Sequence, residues 1–169
     1  ALRPIARAIR DAGAMPGIQI AHAGRKASAN RPWEGDDHIA PDDPRGWETI
    51  APSAIAFDAN LPQVPRAMTP EDITRVRQDF VASAIRPRDA GFEWLMLHFA
   101  HGYLGQSFLS PYSNQRTDLY GGSLENRARF LLETLSEVRA VCPEDRPLSA
   151  RLGMNDFDGR ATAPLEDAI

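Results

Sequence analysis

One cysteine, no long apolar run and no excess of positive charge set the first limits on this 169-residue chain. A single thiol, Cys142, cannot form an internal disulfide framework and cannot supply a cysteine-rich zinc site, so a reducing cytoplasmic setting is the default expectation. With 19 Lys+Arg against 23 Asp+Glu, the net charge of -4 provides no basic footprint for nucleic acid. No stretch approaches the roughly 20 apolar residues that a membrane span requires, and no signal peptide is expected before the first element. What remains is an ordinary globular composition, 43% hydrophobic and 25% charged, enough for one domain. The chain begins at Ala1 within an apparent helix and stops at Ile169 as another starts, so it is expected to be a piece of a longer protein.

Residues 2–12 carry helical spacing through Leu2, Ile5 and Ile9, and Gly13 is placed to end that helix. Residues 17–22 read as a short strand closed by Gly24. From 25 to 67 periodicity fades into Pro, Asp and Asn. A stretch this long without regular structure is usually functional or disordered. Trp33 and Trp47 argue for packing, so an ordered excursion over a site is expected. Thr69-Pro-Glu-Asp72 is a strong helix start: a hydroxyl cap, a proline in the first turn and two acids at the positive end. The apolar stripe of that helix is Ile73, Val76, Phe80 and Ala84.

Gly91 introduces a near-continuous apolar strand over 92–99, suited to a parallel sheet covered on both faces. A polar loop follows, and Ser123 caps the next helix, with Ala128, Leu131, Leu135, Val138 and Cys142 on one face. Pro143 and Pro147 bracket a turn into a third strand at 148–152. Alternating β and α elements imply an α/β parallel sheet, and three strands are too few to close a barrel.

The chemistry concentrates where the second strand ends. His98 and His101 stand three residues apart, with the phenol of Tyr103 two further on, at the step from buried strand to exposed loop. Enzymes of this class place their reacting groups there. Imidazoles can donate to a substrate oxygen and a phenol can release a proton. Gln19, His98 and Arg151 lie in or at the end of the three strands, so all could face one mouth. An arginine in a small apolar strand is expensive unless it meets an anion or a polar ligand. The pair could instead be core histidines, or part of a metal site with His22 as third ligand, although no carboxylate or cysteine accompanies them.

Four segments carry a specific resemblance: His22-Ala-Gly-Arg-Lys26, Ala51-Pro-Ser-Ala-Ile-Ala-Phe57, His98-Phe-Ala-His-Gly-Tyr-Leu104 and Arg116-Thr-Asp-Leu-Tyr-Gly-Gly-Ser-Leu-Glu-Asn-Arg127. In this order they resemble the Old Yellow Enzyme family of FMN-dependent ene-reductases. The loop 26–38, with Gly46-Trp-Glu-Thr49, most resembles the xenobiotic reductase A branch.

The resemblance implies that residues 1–169 are the central part of an FMN-binding (β/α)8 TIM barrel, about strands three to five. It implies FMN as cofactor, NAD(P)H as reductant and small-molecule enones as substrates, in a whole protein expected to be a homo-oligomer. By matching position, His98 and His101 would hold the substrate carbonyl oxygen and Tyr103 would donate the proton. Gln19 would bond the flavin pyrimidine edge, and Arg151 would sit beside N1 and the C2 oxygen. Arg25, Asp118, Tyr120 and Asn126 fall in the same motifs, with structural roles expected. Two positions depart from the family. Pro87 falls where relatives carry an uninterrupted helix, and Met96 stands where a glutamate is usual. The N-terminal flavin loop and strands six to eight, with the phosphate-binding loops, would lie outside this chain. Two rivals remain at this stage: a catalytically silent half-barrel serving assembly, and a barrel metallohydrolase using His22, His98 and His101.

Overall fold

The computed structural model describes residues 1–40 and 42–153. The helix start expected near the C-terminus lies outside them. Three parallel strands, β1 (Gly17–Ala21), β4 (Trp94–Phe99) and β5 (Leu148–Leu152), form a sheet in that spatial order. The register pairs Met96 with Gln19 on one side and Ser149 on the other, and His98 with Ala21 and Arg151. Helices α2 (Pro70–Ala90) and α4 (Leu124–Val141) pack against one another, with α2 also against β1, while α1 (Arg3–Asp11) precedes β1. Consecutive parallel strands joined through helices make this part of a (β/α)8 barrel, as the sequence leads one to expect.

Strand parity divides the sheet. Leu95, Leu97 and Phe99 point to the helical side and are buried with Ile73, Val76, Phe80, Phe108 and Phe130. Phe108 stacks on Phe130 at 4.4 Å, and Phe80 meets Phe99 edge-on at 6.0 Å. The other parity, Gln19, Met96, His98, Ser149 and Arg151, shares the opposite face, the barrel interior.

Helix α2 begins as its sequence dictates. Thr69 Oγ1 accepts from Asp72 N–H at 3.2 Å and the Asp72 carboxylate accepts from Thr69 N–H at 3.0 Å, a complete capping box. The helix continues through Pro87 and stops at Gly91, whose φ of 95° provides the left-handed cap.

Helix α4 turns its face slightly from the expected stripe. Arg127, Phe130, Leu131, Thr134 and Val138 are buried, while Ala128, Leu135 and Cys142 are only half-buried. Arg127 can enter because it donates to the carbonyls of Leu109 (2.7 Å) and Gly122 (2.5 Å). Thr134 Oγ1 returns to the Phe130 carbonyl at 2.6 Å.

Two expectations need correction. Part of the segment expected as a polar loop after β4 is a buried helix, α3 (Leu104–Leu109). In the excursion, Trp33 and Trp47 are 77% and 59% exposed, so they do not organise it. His38 does. Its Nδ1 accepts from Gln63 N–H at 3.1 Å, and its Nε2 lies 3.2 Å from the Arg25 carbonyl. Ser28 Oγ accepts from Trp47 N–H at 3.0 Å, and β2 (Ile50–Ala51) pairs in parallel with β3 (Arg66–Ala67). The backbone of Trp47 is anchored while its ring faces outward.

Candidate active site

The step from β4 into α3 builds the centre of the site. His98, 5% exposed, ends the inner row of β4, and its Nδ1 accepts the Ala100 N–H at 3.1 Å. An acceptor at Nδ1 leaves the ring proton on Nε2, so the free edge of His98 is a donor. Burial lowers the His98 pKa, and the neighbouring His101 and Arg151 charges lower it further, so the ring is held neutral.

His101 and Gly102 follow in left-handed backbone, at φ 59° and 70°. A non-glycine residue there is uncommon and costs on the order of 1–2 kcal/mol. This turn folds the chain back so that the His101 ring stands 4.8 Å from His98, nearly perpendicular. The Tyr103 ring lies 5.0 Å from His98. Gly102 has no room for a side chain, because the Phe57 ring occupies the space a Cβ would take. Gly102 N–H donates to Gln106 Oε1 at 2.9 Å, and Ser107 N–H to the Tyr103 carbonyl at 2.8 Å. The short helix α3 therefore fixes the turn from behind. Gly105 lets α3 approach, since any Cβ there would meet the Phe99 side chain.

The structure brings His98, His101 and Tyr103 together and puts Gln19 and Arg151 on the same face of the sheet. Arg151 is the β5 partner of His98, close enough to influence its protonation. Gln19 is exposed and donates to Met96 Sδ at 2.9 Å. The thioether at the unusual position thus touches Gln19 as a weak acceptor.

His22 does not join them. It follows β1 on the helical side, beside a cavity of about 310 Å³ lined by Ile20, Val76, Asp79 and Phe80. Burial lowers its pKa, with Arg75 adding to the effect. Among the described residues His22 therefore does not converge with His98 and His101 on one position.

Sequence reasoning missed Lys26 and Phe57 as neighbours of the site. Lys26 Nζ lies 4.3 Å from the Phe57 ring, 5.6 Å from the Tyr103 ring and 3.3 Å from the His101 carbonyl oxygen. Both residues stand inside motifs that were legible, but nothing in linear spacing brings 26, 57 and 103 together.

The remaining motif residues hold loops. Arg116 pairs with Asp118 and donates to the carbonyls of Pro52 (3.0 Å) and Met68 (2.6 Å). Tyr120 OH donates to Glu133 at 2.8 Å, and Arg25 donates to the Ala56 carbonyl at 2.9 Å. Asn126 takes a hydrogen bond from Arg129 at 3.0 Å.

A parallel βα sheet thus carries an imidazole pair, a phenol, an amide and a guanidinium on one face. The chain belongs to the NADH:flavin oxidoreductase / NADH oxidase family, whose sequence pattern matches residues 1–168. It is 48% identical over 143 residues to an NADH:flavin oxidoreductase of Gibberella zeae, covering 83% of this chain and 35% of that protein. An NADPH dehydrogenase of Bacillus velezensis is 46% identical over 149 residues, 88% of this chain and 38% of the relative. Among solved structures, morphinone reductase superposes with a TM-score of 0.79 at 29% identity, covering 97% of this chain and 45% of that one. An Old Yellow Enzyme from Pichia superposes at 0.75 and 32% identity, over 89% of this chain and 38% of that one. The resemblance read from the four motifs is thereby borne out. The chain spans only 35% and 38% of the two curated relatives' lengths.

Proposed function

We propose that residues 1–169 form part of an FMN-binding barrel domain in an NAD(P)H-dependent ene-reductase, and that they polarise and protonate an α,β-unsaturated carbonyl substrate. The observation that carries this reading is the neutral, donor-ready His98 with His101 and Tyr103 ringed about it. Bound FMN, reduced by NAD(P)H, would supply the hydride chemistry.

The chain's own groups fit such a ring system. Gln19 offers an amide donor and acceptor, and Arg151 a fixed cation, both exposed on the inner face. An alternating carbonyl and N–H edge takes an amide, and a ring that becomes anionic on reduction takes a cation. His98 Nε2–H and an N–H of His101 donate to the substrate carbonyl oxygen. As negative charge builds on that oxygen, such donors are worth about 3–4 kcal/mol each. Tyr103 gives its phenolic proton to the α-carbon, which completes the addition of two electrons and two hydrogens across the double bond.

The test uses the intact protein. It should purify with FMN, be bleached by NAD(P)H without oxygen, and regain its colour on adding one equivalent of 2-cyclohexenone. Reduced protein that stays bleached with the enone, yet reoxidises in air, would confine the activity to that of an NAD(P)H oxidase.

A further inference from the structure

The five residues from His22 to Lys26 end β1 outside the proposed chemistry, yet they touch the catalytic turn at both of its ends. At one end, the His22 carbonyl accepts Leu104 N–H at 3.0 Å, directly after Tyr103. At the other, Lys26 Nζ donates to the His101 carbonyl at 3.3 Å. The segment between is itself held in shape. His22 Nδ1 accepts Gly24 N–H at 3.0 Å, and a single 3-10 turn (Gly24–Lys26) closes with Ala27 N–H on the Gly24 carbonyl at 3.1 Å. Gly24 sits at φ 59°, and a Cβ there would stand 3.1 Å from the backbone of Leu104, so the two segments meet backbone to backbone.

We infer that His22–Lys26 is a positioning clamp for the His101–Tyr103 turn, with Lys26 as the residue that sets where the Tyr103 phenol stands. The inference rests on the ene-reductase reading for its kinetic consequence and on geometry alone for the clamp. His101 occupies a left-handed conformation that its side chain disfavours, so the turn needs an external hold. The ammonium supplies one by gripping the His101 carbonyl, and its stem is kept in place over Phe57, whose ring also fills the space beside Gly102. Lys26 touches no reacting atom in this account. It acts through the turn.

Two measurements on the intact FMN-bound protein decide the matter. In Lys26→Met, amide hydrogen exchange at Gly102, Tyr103 and Leu104 should quicken while α2 and α4 keep their protection, and Lys26→Arg, which retains a donor, should restore it. Unchanged exchange in Lys26→Met overturns the clamp whatever the protein's chemistry.

The second measurement follows reoxidation of the reduced protein by 2-cyclohexenone. Misplacing the phenol should slow that step by about 10–100-fold, with reduction by NAD(P)H little altered. In a Tyr103→Phe background the same Lys26→Met change should have a much smaller effect, since there is no proton donor left to misplace. Equal slowing in both backgrounds overturns the positioning role. If Tyr103→Phe alone leaves the enone step untouched, the assignment of Tyr103 fails instead, and the exchange result still judges the clamp.

Discussion

At the scale of single residues, the site is two imidazoles and a phenol gathered at one turn. His98 can serve there only because its Nδ1 is already committed to Ala100. Tyr103 is the group whose removal should separate the two halves of the reaction. Tyr103→Phe should leave flavin reduction by NAD(P)H nearly intact and slow enone turnover by about 10²–10⁴-fold. Stopped-flow traces of the two half-reactions measure this, and an unaltered oxidative rate would remove Tyr103 from the mechanism.

The histidines also predict a pH response. Burial holds both His98 and His22 below the ordinary value of 6.5. Folding therefore favours their neutral forms. Their contribution is fully present above about pH 6.5 and is lost as the pH falls from there through the lowered folded values. Denaturation midpoints should be flat from about pH 8 to 6.5 and then decline. His98→Gln, which cannot titrate, should make the decline shallower. Asp72, Glu93 and Asp118, all lowered first by arginine hydrogen bonds or, for Asp72, by Arg66 above all, act only in the carboxylate range. A midpoint that rises on acidification below 6.5 would contradict the lowering of the His98 and His22 values.

Among the elements, Pro87 makes the clearest case. Helix α2 runs through it to Ala90, so the ring displaces a backbone donor from the interior of a continuing helix. Such a proline costs about 3 kcal/mol. Its ring is buried beside Ala84, Phe92 and Leu95, and replacing it with alanine gives up two methylenes of burial, about 1.6 kcal/mol. The difference predicts that Pro87→Ala stabilises the intact protein by about 1 kcal/mol. Chemical denaturation provides the measurement, and a loss of stability would mean that the contacts of the ring outweigh the missing hydrogen bond.

The same scale shows what was legible in the residues. Thr69, Gly13 and Ser123 announced their helix ends because caps are local chemistry, readable without the fold. The strand ending at Phe99 was legible because a sheet covered on both faces leaves an unbroken apolar run. Helix α3 was not. Six residues that include Gly105, Gln106 and Ser107 give too little periodicity, and their burial depends on Phe99, Phe130 and the Gly153 segment reached from elsewhere. Trp33 and Trp47 misled for the opposite reason, since a large ring promises burial but the described residues provide no cover for either. Lys26 belongs to the site only through a contact across 75 positions of sequence.

For the molecule as a whole, the sheet is an open one. Among the described residues, β1 and β5 are each paired on one side only. Gln19, Trp94 and Arg151 on the inner face are exposed, as are Leu2, which precedes α1, and Ile5 on it. Unpaired strand edges beside exposed apolar side chains favour association with other chains. On the proposed reading Gln19 and Arg151 address only the ring of a flavin nucleotide, and barrel phosphate sites commonly come from loops after the seventh and eighth strands. Residues 1–169 expressed alone should therefore bind FMN only weakly and self-associate as their concentration rises. Quenching of FMN fluorescence on titration, with sedimentation of the same samples, tests both. Binding at micromolar concentrations or tighter, with a cooperative melt and a monomeric sedimentation profile, would make these residues a self-sufficient flavin domain and would require a phosphate anchor among them.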